Sequence, residues 1–120
     1  MKQDLSERFL EFAVSIIKLG KKLNKTYEGR HVYGQLFRSG TSVGANYEES
    51  QSAESKKDFQ HKLQVVLKEL KESLYWLRLI EKTKFVDKSD AILVFLLKEN
   101  RELNEVISRT PLKTNNFVSN

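Results

Sequence analysis

The sequence predicts an all-α protein of one domain, an antiparallel up-down-up-down four-helix bundle. Four segments repeat apolar residues at alternating spacings of three and four, which is the period of one helix face. No segment alternates apolar and polar residues for long, and the 120 residues include one proline and five glycines, few for a β-rich protein. The connections between the four segments are short, and short connections favour antiparallel neighbours.

The first predicted helix runs from about Asp4 to Leu23. Asp4 followed by Glu7 has the spacing of a capping box, with Asp in place of the usual Ser or Thr. A loop is predicted from Asn24 to Gly29. The apolar stripe of this helix consists of Leu5, Phe9, Phe12, Ile16, Leu19 and Leu23.

The second predicted helix runs from about Val32 to Ser52 and is rich in small residues. Each interior glycine costs roughly 1 kcal/mol relative to alanine, so some other interaction should offset that cost. Gly40 and Gly44 are four residues apart and therefore share a face that lets another helix approach closely. The alternative is a segment that is kinked or broken near Gly40.

The third predicted helix runs from about Ser55 to Thr83, with Ser55 and Asp58 suited to its N-terminal cap. At 1.5 Å per residue its length is roughly 40 Å. Its apolar stripe consists of Phe59, Leu63, Val66, Leu70, Leu74, Leu77 and Ile80.

The fourth predicted helix runs from about Lys88 to Ile107, and Pro111 should stop it. We assign residues 1–112 to the bundle domain and residues 113–120 to a polar tail. The side chains predicted to face the core are Ile92, Phe95, Leu96, Leu103 and Val106.

The helices carry more large apolar residues than one stripe each requires. A monomer rarely leaves so many such groups in water, so the surplus favours a homo-oligomer. The alternative is a wide stripe that one protomer buries by itself. The surplus residues are Leu10, Ile17, Val65, Tyr75, Trp76, Leu79, Leu93, Val94 and Leu97.

Targeting signals are not evident. The longest apolar run, Ala91 to Leu97, is much shorter than the roughly 20 residues of a membrane-spanning helix. Acidic residues interrupt the N-terminal segment, so no signal peptide is predicted. The absence of cysteine excludes disulfides and fits a reducing compartment. The predicted location is the cytoplasm, without membrane attachment.

An enzyme should show converging polar groups, and the chain offers few. Its two histidines are His31 and His61, and it has no cysteine nucleophile. Glu28 and His31 form one Glu-x-x-His spacing, a motif that di-iron bundles use twice. Here the spacing occurs once, with Gly29 inside it, so a chance match is the better interpretation. We predict no enzymatic activity, no catalytic residue, no metal and no cofactor.

The formal net charge is +5, and basic residues cluster where the first two helices meet. Lys18, Lys21, Lys22 and Lys25 follow the spacing of one helix face, and Arg30 lies just beyond them. Such a face suits contacts with nucleic-acid phosphates, which provide affinity without sequence specificity. The alternative is a face that only keeps the protein soluble.

Two stretches resemble a known family. Gln35–Ser50 and Lys68–Ile80 are similar to the four-helix bundle proteins named for the 23S rRNA intervening sequence, formerly labelled S23 ribosomal proteins. They also resemble the accessory variability determinant proteins of diversity-generating retroelements. The resemblance covers about Leu5 to Ile107. It implies a barrel-shaped homopentamer without established enzymatic activity, and in the retroelement branch it implies binding to nucleic acid and a reverse transcriptase.

The resemblance also singles out a polar motif, Arg38, Ser42, Asn46 and Glu49. Many members of the family continue after the asparagine with Ile-Ala-Glu-Gly, whereas this chain has Tyr-Glu-Glu-Ser, which leaves the local geometry open. The motif fits a buried hydrogen-bond network that fixes the second helix against the third. Direct contact with a partner is the alternative.

These observations predict a non-catalytic oligomeric scaffold that binds nucleic acid, most simply structured RNA, through its basic surface. The alternative is a protein-protein interaction adaptor, for example to a reverse transcriptase or another nucleic-acid enzyme, that uses the surplus apolar surface.

Overall fold

The computed structural model describes residues 4–110, and within that range the chain forms four α-helices. They are α1 (Leu5–Leu23), α2 (Tyr27–Gln51), α3 (Lys56–Thr83) and α4 (Ala91–Ser108). Consecutive helices pack against each other and α4 packs back onto α1, which closes the bundle. The predicted all-α four-helix bundle is therefore confirmed. Pro111 and the predicted tail, residues 113–120, lie outside the described residues.

The core lies where the four stripes meet. In α1 all five stripe residues from Phe9 to Leu23 are buried, as predicted. In α4 the prediction was partly wrong, because Phe95 is 40% exposed and Val106 is 38% exposed, while Leu93 and Leu97, predicted as surplus, are buried. The reason is that the polar side chain of Asn100 occupies a buried position, and the helix face that carries Asn100 also carries Leu93 and Leu97.

The second helix begins earlier than the sequence indicated. Thr26 is its N-cap, and the Thr26 hydroxyl accepts a hydrogen bond of 2.9 Å from the amide of Gly29. The loop predicted up to Gly29 is therefore wrong over its last three residues. The first helical turn needs a glycine at position 29, because the Cβ of any other residue would overlap the carbonyl oxygen of Leu23.

α2 is one uninterrupted helix, so the predicted continuity holds and the break near Gly40 is excluded. The two glycines act as their spacing predicted. A Cβ on Gly40 would overlap Ile16, and one on Gly44 would lie 3.2 Å from the Cβ of Phe9. The missing side chains thus let α1 approach α2 closely, and the resulting packing offsets the low helix propensity of glycine.

The remaining helix ends follow ordinary capping chemistry. Ser55 accepts a hydrogen bond of 3.0 Å from the amide of Asp58, which confirms the predicted cap of α3. Asp4 is the N-cap of α1 but its side chain makes no capping hydrogen bond, so the predicted capping box does not form. α4 begins at Ala91 and not at Lys88. Among residues 4–110, none of the helices combines the length and apolarity that a membrane crossing requires.

Candidate nucleic-acid interface

The predicted basic face lies at one end of the bundle. Because neighbouring helices run in opposite directions, the connection from α1 to α2 lies at the same end as the connection from α3 to α4. An ion pair between Lys22 in α1 and Asp90 before α4 joins the two connections directly. We call this part of the molecule, residues 18–31 and 78–90, the basic end.

The basic end carries the whole excess of positive charge. Its two ranges contain nine lysines and arginines and four acidic residues, an excess of five that equals the formal net charge of the chain. The remaining residues contain equal numbers of basic and acidic side chains. The sequence pattern showed only the part of this cluster that comes from the first two helices. The fold adds four more cations, Arg78, Lys82, Lys84 and Lys88.

Four of the five predicted contact residues are available to a ligand. Lys18, Lys21 and Lys25 are exposed and form no ion pair with any residue in the range 4–110. Arg30 is exposed as well, and its Nη1 makes one long hydrogen bond of 3.5 Å, to the carbonyl of Asn24. Lys22 is different because its ammonium group is paired with Asp90.

The geometry corrects one detail of the predicted face. α1 ends at Leu23, so Lys25 lies in the connection and not on the helix face that carries Lys18. The cations therefore surround the end of the bundle instead of forming one straight stripe. Tyr27, the first residue of α2, is 73% exposed, which leaves an aromatic ring beside the cations.

Asp90 organises the basic end, although its role was not predicted from the sequence. One carboxylate oxygen accepts hydrogen bonds of 2.9 and 3.1 Å from the amides of Ile92 and Leu93, which caps α4. The other oxygen accepts from Lys22. The hydrogen bond from Lys22, supported by the capping amides, lowers the pKa of Asp90 below its ordinary value. An aspartate before an apolar run is a recognisable cap signal, but its contact with Lys22 depends on the tertiary fold.

The polar motif of α2 makes contacts across to α3, though not in the buried form predicted. Arg38 forms ion pairs with Glu72 and, at 3.5 Å, with Glu69. Glu49 accepts a hydrogen bond of 2.6 Å from Lys62. Both Arg38 and Glu49 are exposed, so these pairs lie at the surface. The other two members, Ser42 and Asn46, are half-buried.

Asn46 and Ser42 interact within α2. The amide nitrogen of Asn46 donates to the Ser42 carbonyl at 2.9 Å and to its hydroxyl at 3.0 Å. A buried polar contact between α2 and α3 does exist, but it involves Ser39 and Ser73, whose hydroxyls lie 2.8 Å apart. The sequence pattern does not identify this pair, since serines in a small-residue helix are common and neither one indicates its partner.

Glu72 connects the motif to the aromatic residues of α3. Its carboxylate accepts a hydrogen bond of 3.0 Å from the indole of Trp76 in addition to its pairing with Arg38. These two donors, Trp76 first, lower the pKa of Glu72. His31 lies edge-on to Trp76 with 6.4 Å between ring centroids. The histidine of the Glu-x-x-His spacing therefore lies beside an aromatic ring. Within residues 4–110, no group of three or more His, Cys, Asp and Glu side chains is arranged so that it could hold a metal ion.

The fold and this site define a four-helix bundle protein with one strongly basic end. The model of the family described as "23S rRNA-intervening sequence protein" matches residues 1–109. The chain therefore belongs to the 23S rRNA-intervening sequence protein family. No protein of curated function matches it.

A solved structure supports the same assignment. It is the crystal structure, at 1.70 Å resolution, of a protein of unknown function from the S23 ribosomal protein family of Bacteroides thetaiotaomicron VPI-5482. The two chains are 35% identical with a TM-score of 0.78, over 87% of this chain and 94% of the other.

Proposed function

We propose that this protein is a non-catalytic cytoplasmic scaffold that binds structured RNA through its basic end. The single observation that carries the proposal is the location of the charge, because the whole positive excess lies at one end of the bundle. Lysine and arginine side chains that neutralise phosphates release counterions, and this release supplies affinity without reading the sequence. The name of the family, which refers to a ribosomal RNA insertion, supports RNA as the ligand.

The scaffold is proposed to be a homo-oligomer. Leu10 is 57% exposed and Ile17 44% exposed on α1, and Phe37 is 41% exposed on the adjacent α2. Between the two helices lies a shallow cavity of about 190 Å³ lined mainly by small residues such as Ala13, Gly44 and Ala45. Projecting apolar side chains beside a small-residue depression are typical of a helix-packing interface. The resemblance suggests a pentamer, and an oligomer would repeat the basic end several times on one particle.

The experiment compares two triple variants that lose the same charge. Lys18→Gln, Lys21→Gln and Lys25→Gln remove three unpaired cations from the basic end and leave the Lys22–Asp90 pair intact. Lys56→Gln, Lys57→Gln and Lys98→Gln remove three exposed cations from elsewhere. Binding of each variant to an RNA hairpin is measured by fluorescence anisotropy over a range of salt concentrations.

The basic-end variant should bind the hairpin more weakly and with a shallower dependence on salt, by about one unit of slope for each phosphate that it no longer neutralises. The control variant should bind like the wild type. Equal weakening of the two variants would show that only net charge matters, and an unchanged basic-end variant would refute the assigned surface.

The second candidate function is a protein-interaction adaptor, for example to the reverse transcriptase of a diversity-generating retroelement. The observation that favours it is the set of exposed apolar side chains on α4, Val94, Phe95 and Val106, which lie away from the cavity between α1 and α2. Capture of partners from the native host with and without nuclease separates the two functions. A protein partner retained after nuclease treatment supports the adaptor, whereas partners that disappear with the RNA support the scaffold.

A further inference from the structure

A second surface lies between α3 and α4, in the half of the bundle away from the basic end. α3 and α4 pack together less extensively than α2 and α3 do, which leaves an open groove of about 660 Å³. On α3 the groove extends from Gln64 to Leu74, about 15 Å at 1.5 Å per residue. It is lined by Gln64, Leu67, Lys68, Lys71, Leu74, Asn100, Arg101, Asn104 and Ser108.

The lining combines an apolar floor with basic walls. Leu67 and Leu74 are seven residues apart on α3, or two helical turns, and both are only partly buried. Lys68 and Lys71 on α3 and Arg101 on α4 are exposed, and none of the three forms an ion pair within the described part of the chain. No aspartate or glutamate lines the groove.

We propose that this groove binds an acidic amphipathic helix of a partner protein. A helix with apolar residues at i, i+4 and i+7 spans two turns, so it can set those residues along the floor between Leu67 and Leu74. Carboxylates on both sides of that stripe would then lie opposite Lys68 and Lys71 on one wall and Arg101 on the other. Charge complementarity with both walls therefore requires an acidic occupant. None of the residues that line the groove belongs to the basic end.

The exposed apolar stripes of the chain itself match this occupant only in part. On α1, Leu10, Val14 and Ile17 have the spacing i, i+4 and i+7, but acidic residues flank only the first turns of that stripe, and Lys18 and Lys21 flank its C-terminal end. On α4, the exposed residue Val94 is followed one turn later by Lys98. Either stripe would set at least one ammonium group against the basic walls. Residues 111–120 include Lys113 and contain no aspartate or glutamate.

A nucleic acid matches the groove less well than a helix does. Proteins that bind single strands usually combine cations with aromatic rings on which bases stack, and the residues that line this groove include no aromatic side chain. The leucine floor would gain nothing from a phosphate backbone, whereas it can pack against leucine or phenylalanine.

The test uses a fluorescein-labelled helical peptide with leucines at i, i+4 and i+7 and glutamates on both flanks. Two further peptides replace either every glutamate by lysine or every leucine by serine. Each is titrated with the full-length wild type, with Lys68→Glu/Lys71→Glu, and with the matched control Lys56→Glu/Lys57→Glu on the first turn of the same helix. Circular dichroism checks that the variants remain helical.

The glutamate peptide should bind the wild type and the control equally, and bind Lys68→Glu/Lys71→Glu about tenfold or more weakly. The lysine peptide should show the reverse preference, and the serine peptide should bind none of the three. Equal binding of the glutamate peptide to all three proteins would overturn the proposal.

Two further measurements exclude the other occupants. The mass of Lys68→Glu/Lys71→Glu by light scattering should equal that of the wild type, and a smaller mass would mean that a second copy of the chain fills the groove and the proposal is wrong. The affinity of the variant for an RNA hairpin should fall no more than that of the Lys56→Glu/Lys57→Glu control. A selective loss of RNA binding would mean that the groove binds phosphates.

Discussion

The carboxyl group of Asp90 stabilises two elements at once. Its Oδ1 caps α4 by accepting from two amides, and its Oδ2 pairs with Lys22 at the end of α1. The cap determines where α4 begins. The ion pair holds the N-terminus of α4 next to the connection between α1 and α2. Two different substitutions separate these contributions.

Asp90→Asn keeps an oxygen that can cap α4 but removes the negative charge. We expect it to lower the free energy of unfolding by less than about 1 kcal/mol, because Lys22 is half-exposed. Asp90→Ala loses the cap as well and should cost about 1 kcal/mol more. Urea unfolding at neutral pH measures both differences, and equal costs for the two variants would contradict the capping role.

The same pair determines a pH dependence. Lys22 lowers the folded-state pKa of Asp90, so the carboxylate contributes stability above the unfolded-state pKa of about 3.9, and this contribution is lost as the pH falls through the lowered folded-state value. The stability gap between the wild type and Asp90→Asn should therefore narrow when urea unfolding is repeated at decreasing pH below about 4. A gap that stays constant or widens would refute the ion pair.

At the scale of single helices, α2 depends on where its glycines lie. Gly29 is buried in the first turn, where a Cβ would overlap the backbone carbonyl of Leu23. Gly34 lies on the exposed side of the same helix, where a Cβ would have no neighbour within 4 Å. Alanine substitutions at the two positions therefore separate two effects, the packing cost of an added methyl group and the gain in helix propensity of alanine over glycine.

Gly29→Ala should lower the free energy of unfolding by about 2 kcal/mol or more, because a backbone carbonyl cannot move aside as a flexible side chain can. Gly34→Ala is the matched control and should raise it by about 0.5–1 kcal/mol. Thermal and urea unfolding followed by circular dichroism measure both. Stabilisation by Gly29→Ala would show that the turn relaxes without cost.

Apolar periodicity predicted most of the helices because each buries one stripe. The bounds of α1 and α3 differ from the prediction by about one residue. The start of α2 was predicted five residues too late because glycine is typical of loops. The close contact of Gly29 with the Leu23 carbonyl joins two sides of a connection, and a helical period gives no information about such a contact. Phe95 was placed in the core because hydrophobicity alone does not show that Asn100 takes a buried position, where its amide donates to the Leu70 carbonyl at 3.1 Å.

The candidate site was predictable only in its local part. Lys18, Lys21 and Lys22 share one helix, so their spacing already places them together. The contributions of Lys82, Lys84 and Asp90 depend on the direction of α3, which only the fold determines. The groove between α3 and α4 needs residues from two helices about 30 positions apart, so no sequence motif indicates it.

At the scale of the whole molecule, the bundle separates three kinds of surface. The basic end lies at the C-terminus of α1 and of α3, the groove lies between the N-terminal half of α3 and the C-terminal half of α4, and exposed apolar residues lie along α1 and α2. A scaffold that assembles through the apolar surface would leave both charged surfaces free. This arrangement is consistent with simultaneous binding of RNA and a protein, provided that the copies of the chain meet through α1 and α2.

Assembly through α1 and α2 makes the mass of the particle sensitive to charge on that surface. Wild-type protein at micromolar concentration and ordinary salt should have a light-scattering mass that is a multiple of its 14.0 kDa chain mass. Leu10→Asp/Ile17→Asp should reduce the mass to that of one chain, since a carboxylate buried in an apolar interface without a partner is strongly unfavourable. Tyr27→Asp/Tyr75→Asp changes two other exposed residues with the same charge and should leave the mass unchanged. A monomeric wild type would refute the oligomer, and dissociation by the tyrosine variant alone would place the interface on another face.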